Sequence, residues 1–191
     1  MEEVGGKTNM EQSALKRYNE IHVMLWEEVI KVFSVRTNKI RDTEYYRENQ
    51  EQIETLYIAR LKRTAVLNLF VSGKITEQEK NNLLMNSDCA ACSVADSASL
   101  EEFRKGNTGA CSVLEIRCKY CPIKKWNATG KRCIDYHTVE DRLDNLITYI
   151  TNCITHREKF NLGVYTSLRK AIMKKMYIVA HLEWGYEQNE V

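Results

Sequence analysis

Two cysteine pairs with the same short spacing constrain the fold of this 191-residue chain more than any other feature. The pairs are Cys89 with Cys92 and Cys118 with Cys121. This spacing lets one turn of backbone present two thiolates to a single ion, and two pairs supply the four ligands of a tetrahedral Zn2+ site. The sequence therefore predicts a zinc-knuckle-like subdomain, here called the cysteine insert and defined as residues 86–137.

The exact ligand set stays open, because six cysteines in this stretch exceed the four ligands of one zinc ion. The preferred set is Cys89, Cys92, Cys118 and Cys121. Three further side chains are reserve ligands: Cys111, Cys133 and His137. Zn2+ is the expected cofactor.

Three other uses of the cysteines remain as alternatives. An iron–sulfur cluster is one, because Cys121 is followed by Pro122 as in ferredoxin-type cysteine runs, although the spacings differ. A redox-active pair is another, since this spacing at a helix start lowers a thiol pKa. Disulfides would form in an exported protein, but residues 1–7 lack the pattern of a secretory signal, so a cytoplasmic location is expected.

The composition favours helices. One proline and 8 glycines are too few for an all-β protein with many turns, whereas 43% hydrophobic and 28% charged residues are typical of a globular domain. The net charge of +2 implies no partner. No apolar run of about 18 residues is present, so no membrane association is expected.

Apolar residues recur at steps of three and four in four long segments. These predict helices over residues 10–33, 43–71, 139–157 and 165–184, with 34–42 as a connection and Gly163 in a break. The expected fold class is mainly α: a bundle of about four long helices around the central, metal-stapled insert. Residues 1–9 are expected to be flexible, and 10–191 to form a single helical domain.

Several local signals refine this picture. Capping-box patterns predict helix starts at Thr76 and Ser99, and Gly73 suits a helix end. His22 lies on the apolar face of the first helix and is expected to be a core histidine with a satisfied hydrogen bond. Cys153 lies on the apolar face of a later helix and is expected to be a small buried hydrophobe.

The insert also carries a basic run with no acidic residue between Arg117 and Arg132. Four thiolates around one Zn2+ leave two negative charges, which nearby donors must offset, so the run is expected to serve the metal centre. Interleaved aromatic residues also suit phosphate contacts and base stacking in nucleic acid. This alternative site consists of Lys119, Tyr120, Lys124, Lys125, Trp126, Lys131 and Arg132.

The insert resembles a diffuse group of uncharacterised small proteins from bacteriophages and prophages. The resemblance is carried by Cys89 with Cys92, by Cys118 with Cys121 and the following Pro122 and Ile123, and by Trp126 and Cys133. It covers mainly residues 89–133. It implies a phage or mobile-element origin, and a setting in the host cytoplasm, without an established activity.

No motif of nucleophilic, phosphate-binding or metalloprotease chemistry is present, so an enzyme is not the favoured class. The sequence predicts a non-enzymatic accessory protein whose structural zinc site fixes a surface for a macromolecular partner, most simply another protein. The alternatives are a nucleic-acid-binding zinc knuckle and an iron–sulfur or redox-active protein. The oligomeric state is left open.

Overall fold

A computed structural model describes residues 9–38, 40, 44–85, 90–104, 121–122, 138–156 and 159–184. These residues form eight helices and no strand, which confirms the mainly α fold class. The helices are α1 (Asn9–Asn38), α2 (Glu44–Glu48), α3 (Glu51–Glu54), α4 (Ile58–Val71), α5 (Glu77–Met85), α6 (Ala90–Arg104), α7 (Thr138–Thr155) and α8 (Leu162–Ala180). The predicted flexible segment lies outside the described residues up to position 8, and α1 begins at Asn9.

Helix α1 is the central element of the described fold. It contacts α4, α6 and α8, while α5 packs between α4 and α6, and α7 packs on α8. The predicted apolar face of α1 is confirmed, because its members are buried: Tyr18, Ile21, His22, Leu25, Trp26, Val29 and Phe33. All of them except His22, which is polar, belong to one hydrophobic core cluster that the long helices share.

The predicted connection over residues 34–42 is wrong in its first half, because α1 continues to Asn38. Polar side chains in this last part of the helix bond to α8 and to the helix itself. Arg169 donates through Nε to Thr37 Oγ1 at 2.7 Å and through Nη2 to Ser34 Oγ at 3.2 Å. The Tyr165 hydroxyl donates to the Thr37 carbonyl at 3.0 Å. Residues that break helices when exposed therefore remain helical here.

The single long helix predicted over 43–71 is also wrong, since this stretch forms α2, α3 and α4. Tyr57 adopts an extended conformation, with φ −61° and ψ 141°, just before α4. The Thr55 carbonyl accepts from Arg36 of α1 at 2.5 Å. In a continuous helix it would accept from the N–H of residue 59 instead. The two breaks allow Tyr46 and Leu56 both to enter the core.

Because of these breaks, the inner face of α4 is displaced from the predicted one. The buried positions are Ile58, Leu61, Lys62, Ala65, Val66 and Leu69. The apolar repeat over 43–71 predicts Tyr57 and Leu67 on the inner face, but both are exposed. It leaves its last position open between Phe70 and Val71, of which Phe70 is half-buried and Val71 is 85% exposed. The apolar spacing predicted the helix but not which side of it faces α1.

The turn into α5 follows the prediction closely. Gly73 has a φ of +71°, and the Lys74 N–H donates to the Leu69 carbonyl at 2.9 Å, which satisfies an end carbonyl of α4. The capping box is formed, because the Thr76 N–H donates to Glu79 at 2.9 Å and the Glu79 N–H donates to Thr76 Oγ1 at 3.1 Å.

Helices α7 and α8 confirm the two C-terminal helices with changed bounds. The apolar face of α7 is buried as predicted, including Cys153, which is 1% exposed. Helix α8 begins at Leu162, so Gly163 lies inside it, and the Asn161 side chain caps it by accepting from the Val164 N–H at 3.1 Å. It ends at Ala180, so the predicted helix does not reach residue 184.

Within the described part of the chain, no helix is both long and apolar enough to cross a membrane.

Candidate functional site

Helix α6 begins directly after Cys89 in the sequence, and Cys92 is its third residue. The first turn of a helix has backbone N–H groups without intrahelical partners and carries the positive end of the helix dipole. Both properties favour negatively charged groups such as thiolates. Cys92 thus lies in the first turn of the described helix, and the separate helix start predicted at Ser99 is wrong because α6 runs on through this position to Arg104.

Two opposite faces of α6 are buried in the described fold. One face is made of small apolar residues: Ala91, Val94, Ala95 and Ala98. The other face is polar, and its members follow at steps of one and three: Cys92, Ser93, Asp96 and Ser97. Cys92 is half-buried, whereas the other three polar residues are between 0% and 7% exposed. We call this second set the α6 polar face.

The α6 polar face needs hydrogen-bond partners inside the protein, because buried polar groups lose their contacts with water. Lys62 of α4 reaches this face. Its ammonium group donates to Ser93 Oγ at 3.0 Å, and the lysine is only 4% exposed. The residue next to Cys92 therefore binds a buried positive charge contributed by another helix.

The second cysteine pair is described only at its last member. Cys121 is 6% exposed and belongs to the main hydrophobic core cluster, and Pro122 beside it is buried. One end of this pair is therefore held against the same core that α6 helps to form. Both described cysteines of the preferred metal set thus lie on parts of the chain that the helical core positions.

The other predicted ligands, Cys89, Cys111, Cys118, Cys133 and His137, lie outside the described residues. So do the members of the alternative nucleic-acid site: Lys119, Tyr120, Lys124, Lys125, Trp126, Lys131 and Arg132. Within the described ranges, no group of three or more His, Cys, Asp or Glu side chains is placed to hold a metal ion. The metal centre remains a prediction.

Sequence reasoning identified Cys92 and Cys121 but missed Lys62, Ser93 and Asp96. A signal was present, because positions 89, 92, 93, 96 and 97 form a polar stripe with helical spacing. Such a stripe ordinarily marks a solvated face. Only the structure, in which Ser93, Asp96 and Ser97 are buried and Lys62 of α4 bonds Ser93, identifies it as buried.

A groove of about 740 Å³ lies where the start of α7 faces the junction of α3 and α4. Among the described residues its lining is acidic, with Glu54, Glu140, Asp141 and Asp144 against one basic residue, Arg60. This groove is a surface feature that the sequence pattern did not predict.

Comparison of the chain with protein-family models, with curated proteins and with solved structures finds no match.

Proposed function

We propose that this chain is a non-enzymatic accessory protein in which cysteine thiolates bind a structural Zn2+ ion. In this proposal Cys89, Cys92, Cys118 and Cys121 are the ligands, and the ion staples the cysteine insert to a bundle of the long helices. The stapled insert presents a surface to a macromolecular partner, most simply a protein. The resemblance of the insert to phage and prophage proteins supports a mobile-element setting in the host cytoplasm.

The observation that carries this proposal is the position of Cys92 at the first turn of α6. Thiolates spaced by two residues at a helix start are suited to metal binding, because they point to one side and the helix dipole favours their charge. Cys121 gives independent support, since its burial in the main core would keep the second pair at a fixed place.

The donor set fits a structural ion better than a catalytic one. Four thiolates complete the tetrahedral shell of Zn2+ and leave no open position for water or substrate. The ion would add folding free energy to an insert whose own apolar residues are few. The role of the site would be to hold a surface in place.

The test is a Co2+ titration of the metal-free protein prepared without oxygen, in which thiolate charge-transfer bands report binding. The wild-type chain should bind one ion. Cys92→Ser and Cys121→Ser should lose affinity by more than the roughly 10–100-fold that outer-shell changes cost. Cys153→Ser is the matched control, since Cys153 is a buried thiol on α7 outside the insert, and it should bind as the wild type does.

Two results would overturn the metal proposal: a wild-type chain that binds no Co2+, or a Cys153→Ser variant as impaired as the other two. Iron and sulfide in the anaerobic protein, with a visible absorption band, would instead assign an iron–sulfur cluster.

The class of partner is tested separately with single-stranded RNA and DNA oligonucleotides at several salt concentrations. A protein partner predicts no appreciable binding even at about 50 mM salt. Binding that weakens steeply with salt, and that is lost when Lys124 and Lys125 become alanine, would assign nucleic acid instead.

A further inference from the structure

The segment after α8 lies back across α1. The backbone N–H of Trp184 donates to Asn19 Oδ1 at 2.8 Å. The Trp184 ring meets the Tyr18 ring edge-on, with ring centroids 5.0 Å apart. Trp184 is only 5% exposed, although it lies beyond the last helix. We call residues 182–184 the C-terminal strap.

His22 lies beneath this strap. It is fully buried, and its ring centroid lies 6.1 Å from that of Trp184 and 6.5 Å from that of Trp26. Its Nε2 lies 2.8 Å from the Val179 carbonyl oxygen. Since a carbonyl only accepts, Nε2 carries the proton, and Nδ1 of the neutral ring is an acceptor. His22 thereby bonds α1 to the last turn of α8, just before the strap.

A second proton on His22 has no favourable place in this arrangement. It would turn Nδ1 into a donor, and Nδ1 has no hydrogen-bond partner in the described part of the chain. It would also put a full charge under Trp184 and Trp26. Burial lowers the pKa of His22 from 6.5 to about 4, and the bond to the Val179 carbonyl opposes this shift only in part.

The groups around His22 do not offset such a charge. Tyr18 is the titratable neighbour on α1, and α8 turns the apolar Met176, Val179 and Ala180 inward. His181, which precedes the strap, and Glu183, which lies within it, are exposed. Burial lowers the pKa of His22, and the bond to the Val179 carbonyl is the one opposing cause, so among the described residues no acidic side chain compensates.

We propose that the C-terminal strap is a proton-sensitive latch, closed over α1 while His22 is neutral and released when His22 is protonated. Well above pH 6.5, at about pH 7.5 and higher, His22 is neutral in both states and the latch is closed. As the pH falls from there towards 4, only the open state gains the proton readily, so the balance moves towards it. The difference of about 2.5 pKa units disfavours the closed state about 300-fold once both states are protonated.

The full-length chain labelled with 5-fluorotryptophan tests this proposal by 19F NMR between about pH 7.5 and pH 4. Trp184→Phe assigns the Trp184 signal, and circular dichroism follows helix content in the same samples. The Trp184 signal should move to a solvent-exposed position as the pH falls below about 6, while helix content is retained. A Trp184 signal that stays buried to pH 4, or that moves only when the helices melt, overturns the proposal.

His22→Gln is the decisive variant, because its amide can donate to the Val179 carbonyl but does not titrate. Its strap should stay closed over the whole range. His181→Gln, at an exposed histidine that stacks on Tyr177, is the matched control and should open as the wild type does. A His22→Gln chain that opens like the wild type contradicts the latch.

Asn19→Ala keeps the proposal testable if His22→Gln does not fold. It removes the acceptor of the Trp184 N–H without touching the histidine. The closed state is then less stable, so a smaller fall in pH opens the strap. The pH at which half of the chains are open should therefore be higher than in the wild type. An unchanged midpoint counts against the latch.

Discussion

The Nζ atom of Lys62 lies 3.0 Å from Oγ of Ser93, and this hydrogen bond joins α4 to the first turns of α6 inside the protein core. A lysine that is 4% exposed must keep its charge solvated by protein groups. Loss of an acceptor next to such a charge is costly, because no water replaces it. The bond is therefore expected to hold α6, and the cysteine it carries, against α4.

Ser93→Ala should lower the free energy of unfolding by about 1–3 kcal/mol, because it removes an acceptor from a buried ammonium group. In a Lys62→Met background the same change should cost less, since no charge then needs that hydroxyl. Urea denaturation of the two single variants and the double variant measures the coupling. Equal costs of Ser93→Ala in both backgrounds would show that the bond contributes nothing.

The Glu79 carboxylate both caps α5 and binds Arg17 of α1. It caps α5 by accepting from the Thr76 N–H, and it accepts from Arg17 Nε at 2.7 Å and Nη2 at 2.6 Å. Glu79→Ala should cost about 1–2 kcal/mol: about 1 kcal/mol for the cap and a smaller amount for the ion pair, since Arg17 is 29% exposed.

Glu20→Ala is the control for this change. Glu20 also pairs with Arg17, at 3.0 Å, but is 44% exposed. Its loss should change the stability by less than about 0.5 kcal/mol. Equal effects of the two variants in thermal denaturation would contradict the assigned role of Glu79.

Arg169→Met should loosen the last turn of α1, because the guanidinium group bonds both Thr37 and Ser34. Amide hydrogen exchange of residues 35–38 should speed up by about tenfold, which corresponds to about 1.4 kcal/mol for the two lost hydrogen bonds together. Exchange in the middle of α1 should not change. Lys170→Met alters an exposed neighbour and should leave all these rates as they are. Faster exchange along the whole of α1 would mean that the effect is not local.

Gly73→Ala should lower the stability by about 1–2 kcal/mol through its backbone alone. The residue has a φ of +71°, and a Cβ atom built there meets nothing within 4 Å. Gly73→Asn should cost less, because asparagine tolerates the left-handed conformation better. If asparagine costs as much as alanine in chemical denaturation, the penalty does not arise from the backbone conformation.

The sequence predicted those helices whose apolar spacing was strong and whose ends carried capping signals. The face of α1, the start of α5 at Thr76 and the helix predicted from residue 139 are of this kind. Their determinants are local, because a residue and its neighbours three or four positions away decide them. The burial of His22 and Cys153 followed from the same periodicity.

What the sequence did not predict depends on contacts between distant elements. Helix α1 continues past Ser34 because Arg169 binds its polar residues, and the stretch before α4 is broken where Arg36 binds the Thr55 carbonyl. The α6 polar face has no sequence signature that separates it from a solvated surface. For the candidate site, spacing identified the cysteines, but Lys62 lies far from them along the chain.

The central claim is tested most directly by the metal content of the wild-type chain, purified without oxygen and measured by elemental analysis together with a visible absorption spectrum. We expect one zinc ion per chain, no colour, and loss of helix content when a strong chelator removes the ion. A chain that contains no metal, and whose helix content does not change in chelator, would contradict it.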